Sequence, residues 1–321
     1  MSTNFLDVLN ITGPVCLIAL FGYWAVATDR FPKSAVGGLG IFVINYAVPF
    51  ALFRAVATND LEKITNVGFL WGFAAATVLV FAIGFLQTLW GAKRGLVSAT
   101  LTGMGSSMSN AMMVGYPIII LIFGEAGMLA IVLQILVQDI IIMPLTLALC
   151  EIGSSNEAKL SQIIKNTLLK LITNPIILAI FFGLLVTFFS IPIPKPLMQV
   201  VNLMASCAAG LGLFTIGALL VGVPMKGLLS RVVPIIAFKL LVHPALVFAI
   251  FYFIPSISPM LKTAGVITAS LPMVGMYPAF AHRYGQGANA AASALPTTVL
   301  SFFSMTGIIW ALMTYQPFGP L

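Results

Sequence analysis

Ten apolar runs, each about as long as a bilayer is thick, make up almost the whole chain, with short polar breaks between them. A helix needs about 20 apolar residues to cross the hydrocarbon core. The runs fall at residues 11–27, 35–56, 67–90, 96–123, 127–149, 168–190, 197–221, 232–254, 259–283 and 288–313. Turn chemistry marks the breaks, as in Asp29-Arg30-Phe31-Pro32, Thr58-Asn59-Asp60 and Gly222-Val223-Pro224. Strands of a membrane barrel are half this length and alternate in polarity, so they do not fit. The pattern predicts an all-α membrane protein of ten transmembrane helices. Composition agrees, because only 7% of residues are charged, against roughly 25% in soluble globular chains. Most of the surface must therefore face the lipid bilayer.

The net charge of +7 does not point to nucleic acid, because the basic residues stand singly or in pairs between apolar runs. They mark the two sides of the membrane instead. Ten of them (Arg30, Lys33, Lys93, Arg94, Lys159, Lys165, Lys170, Lys226, Arg231, Arg283) lie in one set of breaks, and four (Arg54, Lys63, Lys195, Lys262) in the other. The positive-inside rule makes the first set cytoplasmic and leaves both termini outside a cell (inner) membrane. Cys16, Cys150 and Cys207 have no metal or disulfide spacing and read as small apolar fillers. No positive leader with a small-residue cleavage site precedes the first run, so no cleavable signal peptide is expected. No P-loop is present, so neither a nucleotide nor any other cofactor is expected.

The halves of the chain resemble each other at an offset of 161 residues. Ile11–Gly22 aligns with Ile172–Gly183 with six identities in twelve, where chance gives roughly one or two in so apolar a chain. The same offset pairs Phe53 with Phe214, Ser109 with Ser270, Gly124 with Gly285, and Tyr116-Pro117 with Tyr277-Pro278. The expected organisation is a five-helix repeat over 1–150, a cytoplasmic linker over 151–167 with one interfacial helical turn, and a second repeat over 168–321. An odd number of helices turns the second copy upside down, a recurrent build of secondary transporters.

Segments four and nine are unusual. The first reads Gly103-Met104-Gly105-Ser106-Ser107-Met108-Ser109-Asn110 and then Gly115-Tyr116-Pro117; the second runs from Ser270-Leu271-Pro272 to Gly275-Met276-Tyr277-Pro278. Proline removes a backbone donor and crowds the carbonyl one turn back. Freed backbone groups at bilayer depth are tolerated beside protein or in a water-filled cavity. One such proline needs no ligand, whereas a matched pair predicts a shared cavity near the midplane. Half-helices starting around Pro117 and Pro278 would aim positive dipole ends at it, which favours an anion.

Asn110-Ala111-Met112-Met113-Val114-Gly115-Tyr116-Pro117 resembles the Asn-x4-Gly-x-Pro signature of the auxin efflux carrier family, which includes plant auxin carriers and bacterial carboxylate carriers. Asn174-Pro175, Val48-Pro49, Gln134-x3-Gln138, Leu271-Pro272 and, for the bacterial branch, Lys239-Leu240-Leu241-Val242-His243-Pro244 add to the resemblance, which covers nearly the whole chain. It implies a bile-acid-symporter or NhaA-like fold in which segments four and nine cross. A scaffold (segments 1, 2, 6, 7) would carry an elevator-type transport part (segments 3–5, 8–10), and the protein would be a homodimer. It also implies that Asn110 and Gln138 bind a small organic anion, malate or malonate in kind, with Ser109, Tyr116, Pro117, Tyr277 and Pro278 around them. The long cytoplasmic loop of many plant members is missing, which weighs against auxin.

Asp139, Lys239 and His243 fall within apolar segments, where ionisable groups are expensive and usually functional. Asp139 is a candidate proton or sodium site, or else half of a structural ion pair with Lys239. His243 could satisfy a carbonyl freed by Pro244. Arg54 and Arg283 either clamp a carboxylate or mark the membrane boundary. Three functions stay open: a carrier of a small carboxylate, a sodium- or proton-coupled symporter or antiporter with Asp139 as ion site, and a membrane enzyme. The enzyme would need clustered acids and histidines, and the two histidines, His243 and His282, stand far apart in the chain.

Overall fold

The computed structural model describes residues 5–59, 66–154, 169, 172–222 and 229–320. Among these every regular element is helical, and the one strand-like feature is an isolated bridge. The first half holds α1 (Phe5–Ala27), α2 (Lys33–Ala57), α3 (Val67–Gly91), α4 (Leu96–Ser107), α5 (111–123) and α6 (128–153). The second holds α7 (Pro175–Phe188), α8 (Lys195–Leu219), α9 (229–252), α10 (Pro259–Ala269), α11 (Tyr277–His282) and α12 (Gly287–Tyr315). Six continuous helical runs are long and apolar enough to cross a membrane: Lys33–Ala57, Val67–Gly91, Ala111–Gly153, Lys195–Leu219, Val232–Tyr252 and Ala292–Tyr315. Thr12–Ala27 and Pro175–Phe188 are apolar but shorter.

Local chemistry sets the helix ends. The side chains of Asn66, Asn174 and Ser258 accept from Phe69, Ile176 and Leu261 backbone N–H groups at 2.8, 3.0 and 3.4 Å, satisfying donors that a first turn leaves free. Beyond α1 and α7, Asp29 (φ 54°) and Ser190 (φ 49°) turn the chain through the left-handed region. Gly124 (φ 61°) and Gly285 (φ 72°) do the same after α5 and α11. Both pairs are separated by 161 residues, so the sequence offset reaches the backbone.

It reaches the packing too. Among the strongest helix pairings are α2 with α8, α2 with α7 and α1 with α8. At Gly22 of α1 a Cβ would collide with the Phe214 carbonyl of α8, and at Gly183 of α7 it would stand 3.2 Å from the Phe53 carbonyl of α2. Gly22 maps onto Gly183 and Phe53 onto Phe214 at the one offset. In lipid, where apolar contact alone gives little drive, small residues let backbones approach closely enough for dispersion to hold them. The helices α1, α2, α7 and α8 thus pack among themselves, while α3 packs on α4 and α9, α4 on α6, α9 on α10, and α11 on α12.

Four prolines share one local solution. Pro49, Pro117, Pro144 and Pro244 each follow a π turn, at Val43–Ala47, Ala111–Gly115, Gln138–Ile142 and Phe238–Val242. The proline ring would clash with the carbonyl four residues earlier. A wider turn moves that carbonyl aside, and the N–H before each proline bonds five residues back instead, as Tyr116 does to Ala111. Pro117 therefore does not begin the second half of segment four, as its sequence suggests. The interruption lies at residues 108–110, and helix resumes at Ala111 with Asn110 as its cap. In segment nine the interruption spans 270–276, and Pro278 does open the next helix. The expected interfacial turn of the linker lies mostly outside the described residues.

Candidate functional site at the crossing of two broken helices

The two interruptions meet. Ser109 and Met273 form an antiparallel bridge, the Asn110 N–H donates to the Pro272 carbonyl at 2.8 Å, and the Val274 N–H donates to the Met108 carbonyl at 3.1 Å. Each break frees backbone groups that lipid cannot satisfy, and each serves the other's needs. Asn110 is half-buried, and its side-chain oxygen caps the Met113 N–H at 3.3 Å. Its amide nitrogen lies 3.4 Å from where a Cβ on Gly275 would stand, so the asparagine borders both breaks.

Lys239, with no exposed surface, projects from the π turn of α9 into this crossing. Its Nζ donates to Ser109 Oγ at 2.6 Å and to the Ala269 carbonyl at 2.9 Å, and lies 3.0 Å from His243 Nδ1. Three acceptors match the three N–H donors of an ammonium group. His243 is likewise fully buried, with Nε2 3.3 Å from Thr77 Oγ1 on α3, whose hydroxyl donates to the Phe73 carbonyl at 2.6 Å. This corrects the expectation that His243 satisfies a carbonyl freed by Pro244, because the π turn has already accommodated the proline.

Gln138, 4% exposed, completes the crossing from α6. Its Nε2 donates to the Ser109 carbonyl at 3.2 Å, and its Oε1 accepts from the Ser109 N–H at 2.8 Å and from Gln134 Nε2 at 3.1 Å. Gln134 also reaches the Thr268 carbonyl at 3.3 Å. Gln138, Ser109, Lys239 and His243 are thus one connected network, with Asn110 next to it in the chain.

The remaining candidates stand elsewhere. Asp139, next to Gln138 in sequence, faces the other way, and its Oδ2 accepts from Asn174 Nδ2 of α7 at 3.4 Å. The proposed Asp139–Lys239 ion pair is not formed, since the lysine is engaged at the crossing. Tyr116, 3% exposed, donates from Oη to the Ala205 carbonyl of α8 at 3.5 Å. Tyr277 packs its ring on Gly105, in a separate pocket on the far side of α4. Pro117 and Pro278 shape helices α5 and α11 through their ring geometry. Arg54 pairs with Glu125 and donates to Asn202 Oδ1 at 3.4 Å, so it is not free to clamp a ligand, while Arg283 is exposed.

Sequence reasoning missed Thr77, Thr268 and the Ala269 and Pro272 carbonyls. Gln134, four residues from Gln138 on one helix face, carried a signal; a threonine on α3 and two backbone carbonyls carried none.

An all-helical fold whose centre is a polar crossing of two interrupted helices is the build of a membrane transporter. The chain belongs to the membrane transport protein family, Mem_trans, which is the auxin efflux carrier family; the family matches residues 12–310. It is a multi-pass membrane protein. It is 24% identical over 307 residues, 95% of this chain and 96% of the relative, to the "Putative malonate transporter" of Rhizobium meliloti (strain 1021). It is 23% identical over 212 residues, 64% of this chain and 66% of the relative, to the "Uncharacterized transporter YfdV" of Escherichia coli (strain K12). Over 216 residues, 64% of this chain but 25% of the relative, it is 27% identical to the "Lysosomal cholesterol signaling protein" of Mus musculus.

Proposed function

We propose that the protein is a secondary carrier of a small carboxylate of the malonate or malate kind, bound at the crossing and moved by elevator-type alternating access. The observation that carries this reading is the meeting of two broken helices inside the protein, with the half-buried Asn110 amide bordering both breaks. That amide can donate to a carboxylate, while Lys239, its donors engaged within the crossing, holds the two breaks together. The name of the Rhizobium relative supports malonate as the first acid to test.

Equivalent glycine contacts and left-handed turns at one offset support two inverted five-helix repeats. The packing of α1, α2, α7 and α8 chiefly on one another supports a scaffold that would also hold a second copy of the chain. The basic breaks support an inner-membrane orientation with both termini outside. Asp139 stands outside the crossing, bonded to Asn174 of α7, which favours a carrier over the ion-coupled reading centred on it.

Uptake of radiolabelled malonate, malate and a neutral amino acid into proteoliposomes, with and without proton or sodium gradients, tests this reading. Carboxylate uptake above that of empty liposomes is expected, and Asn110→Ala should lower it by roughly tenfold or more at unchanged protein yield. Uptake of none of the three, or an Asn110→Ala protein as active as the parent, would overturn it.

A further inference from the structure

A polar cavity lies away from the crossing. It has a volume of about 30 Å³ and is lined by Arg94, Ser98, Thr102, Tyr277, Gln286 and Ser293. Ser98 and Thr102 lie six to ten residues before the break on α4, about 9–15 Å along the helix axis. The cavity therefore belongs to the end of the bundle that carries Lys93, Arg94 and Arg283, not to the crossing.

The lining is selective in sign. Arg94 is half-buried and contributes a guanidinium that has donors only and stays charged. Among the described residues no carboxylate lines the cavity and none pairs with Arg94. Glu151 at the end of α6 accepts instead from Tyr284 Oη at 2.8 Å. Tyr277 is 3% exposed and lines the cavity, and its hydroxyl has no hydrogen-bond partner among the described residues. A phenol O–H and a guanidinium are both donors that an acceptor in the cavity would satisfy. Cations are repelled by Arg94, and a neutral ligand would leave its charge uncompensated. At about 30 Å³ the cavity has room for about two water-sized groups, which suits a halide or a carboxylate as small as formate better than the bulky gluconate.

We propose that this cavity is a binding site for one small monovalent anion, held by the Arg94 guanidinium and the Tyr277 hydroxyl and tying the α3–α4 connection to α11. The source is either a free halide or the terminal carboxylate of a small organic acid. The test is the thermal unfolding midpoint of the purified full-length protein in sodium chloride, sodium formate and the bulkier sodium gluconate at equal ionic strength. Chloride or formate, but not gluconate, should raise the midpoint in a saturable way. A response to chloride alone identifies a halide, and one to formate a carboxylate. Arg94→Gln should raise the half-saturating concentration by about tenfold or more, and the milder Tyr277→Phe should weaken the response in the same direction. Asn110→Ala, altered at the crossing, should keep it. Equal midpoints in all three salts, or a response that survives Arg94→Gln and disappears with Asn110→Ala, would overturn the assignment.

Discussion

Lys239 shows how a single residue can organise a membrane interior. An ammonium group in lipid is costly, and it persists where acceptors replace its water. Here those acceptors come from α4 (through Ser109), α10 (through Ala269) and its own helix (through His243), so one side chain joins three elements. Lys239→Met keeps the apolar stem and removes the donor, leaving those acceptors unpaired. Each buried orphan costs roughly 1–3 kcal/mol, so the unfolding midpoint in detergent should fall markedly and carboxylate uptake should cease. Ser109→Ala removes one acceptor and should lower the midpoint by less. Lys239→Arg should not restore uptake, because a planar guanidinium cannot direct its donors to acceptors arranged around a compact ammonium.

Helices were the most legible level in the sequence. Each apolar run holds helix among its described residues, and six continuous helical runs are long enough to span, because long predominantly apolar stretches leave the backbone no alternative in lipid. The interruption of segment nine and its opening proline were legible as well. Segment four was misplaced by several residues, since proline marks where a helix is perturbed but not whether it breaks or widens, and the π turn at Ala111–Gly115 is settled by neighbours rather than by composition. At the crossing, Ser109, Lys239 and His243 were legible as polar residues in apolar surroundings, and Asn110 and Gln138 through the family resemblance. Their partners were not, because a backbone carbonyl has no letter in the sequence, and Asp139 looked equivalent to Gln138 although the helix turns it toward Asn174. Glycines give the element-scale prediction. Gly22→Leu and Gly183→Leu place side chains inside the α1–α8 and α2–α7 contacts and should each cost about 1–3 kcal/mol or more, read as lower folded yield and midpoint. Gly13→Ala and Gly37→Ala, with nothing within 4 Å of the added carbon, should leave both unchanged.

At the scale of the molecule, movement of one helix group against the other requires their contact to be broken and remade. A Cβ on Gly212 of α8 would stand 3.7 Å from the Cβ of Met113 on α5, within the span of a disulfide. With Cys16, Cys150 and Cys207 replaced, the Met113→Cys, Gly212→Cys pair should form a bridge on oxidation that halts uptake, and reduction should restore it. A Gly68→Cys, Ser256→Cys pair joins residues of one group, where the added carbon stands 2.6 Å from Ser256 Oγ. Its oxidation should leave uptake intact. Equal inhibition by both bridges would show that the groups do not move as units.

The Ser109–Met273 rung also dictates an order of assembly. Its two sides are 164 residues apart, and a ribosome adding about 5–20 residues per second needs roughly 10–30 s to deliver the second after the first. Through that interval the amide and carbonyl groups around Ser109 wait inside the nascent protein without their partners, each at a cost of several kcal/mol if lipid reaches them. The early half must therefore be sheltered, by the insertion machinery or by its own helices, until residues 270–276 arrive. The seam that makes the centre of the molecule cannot close until most of the chain has been made.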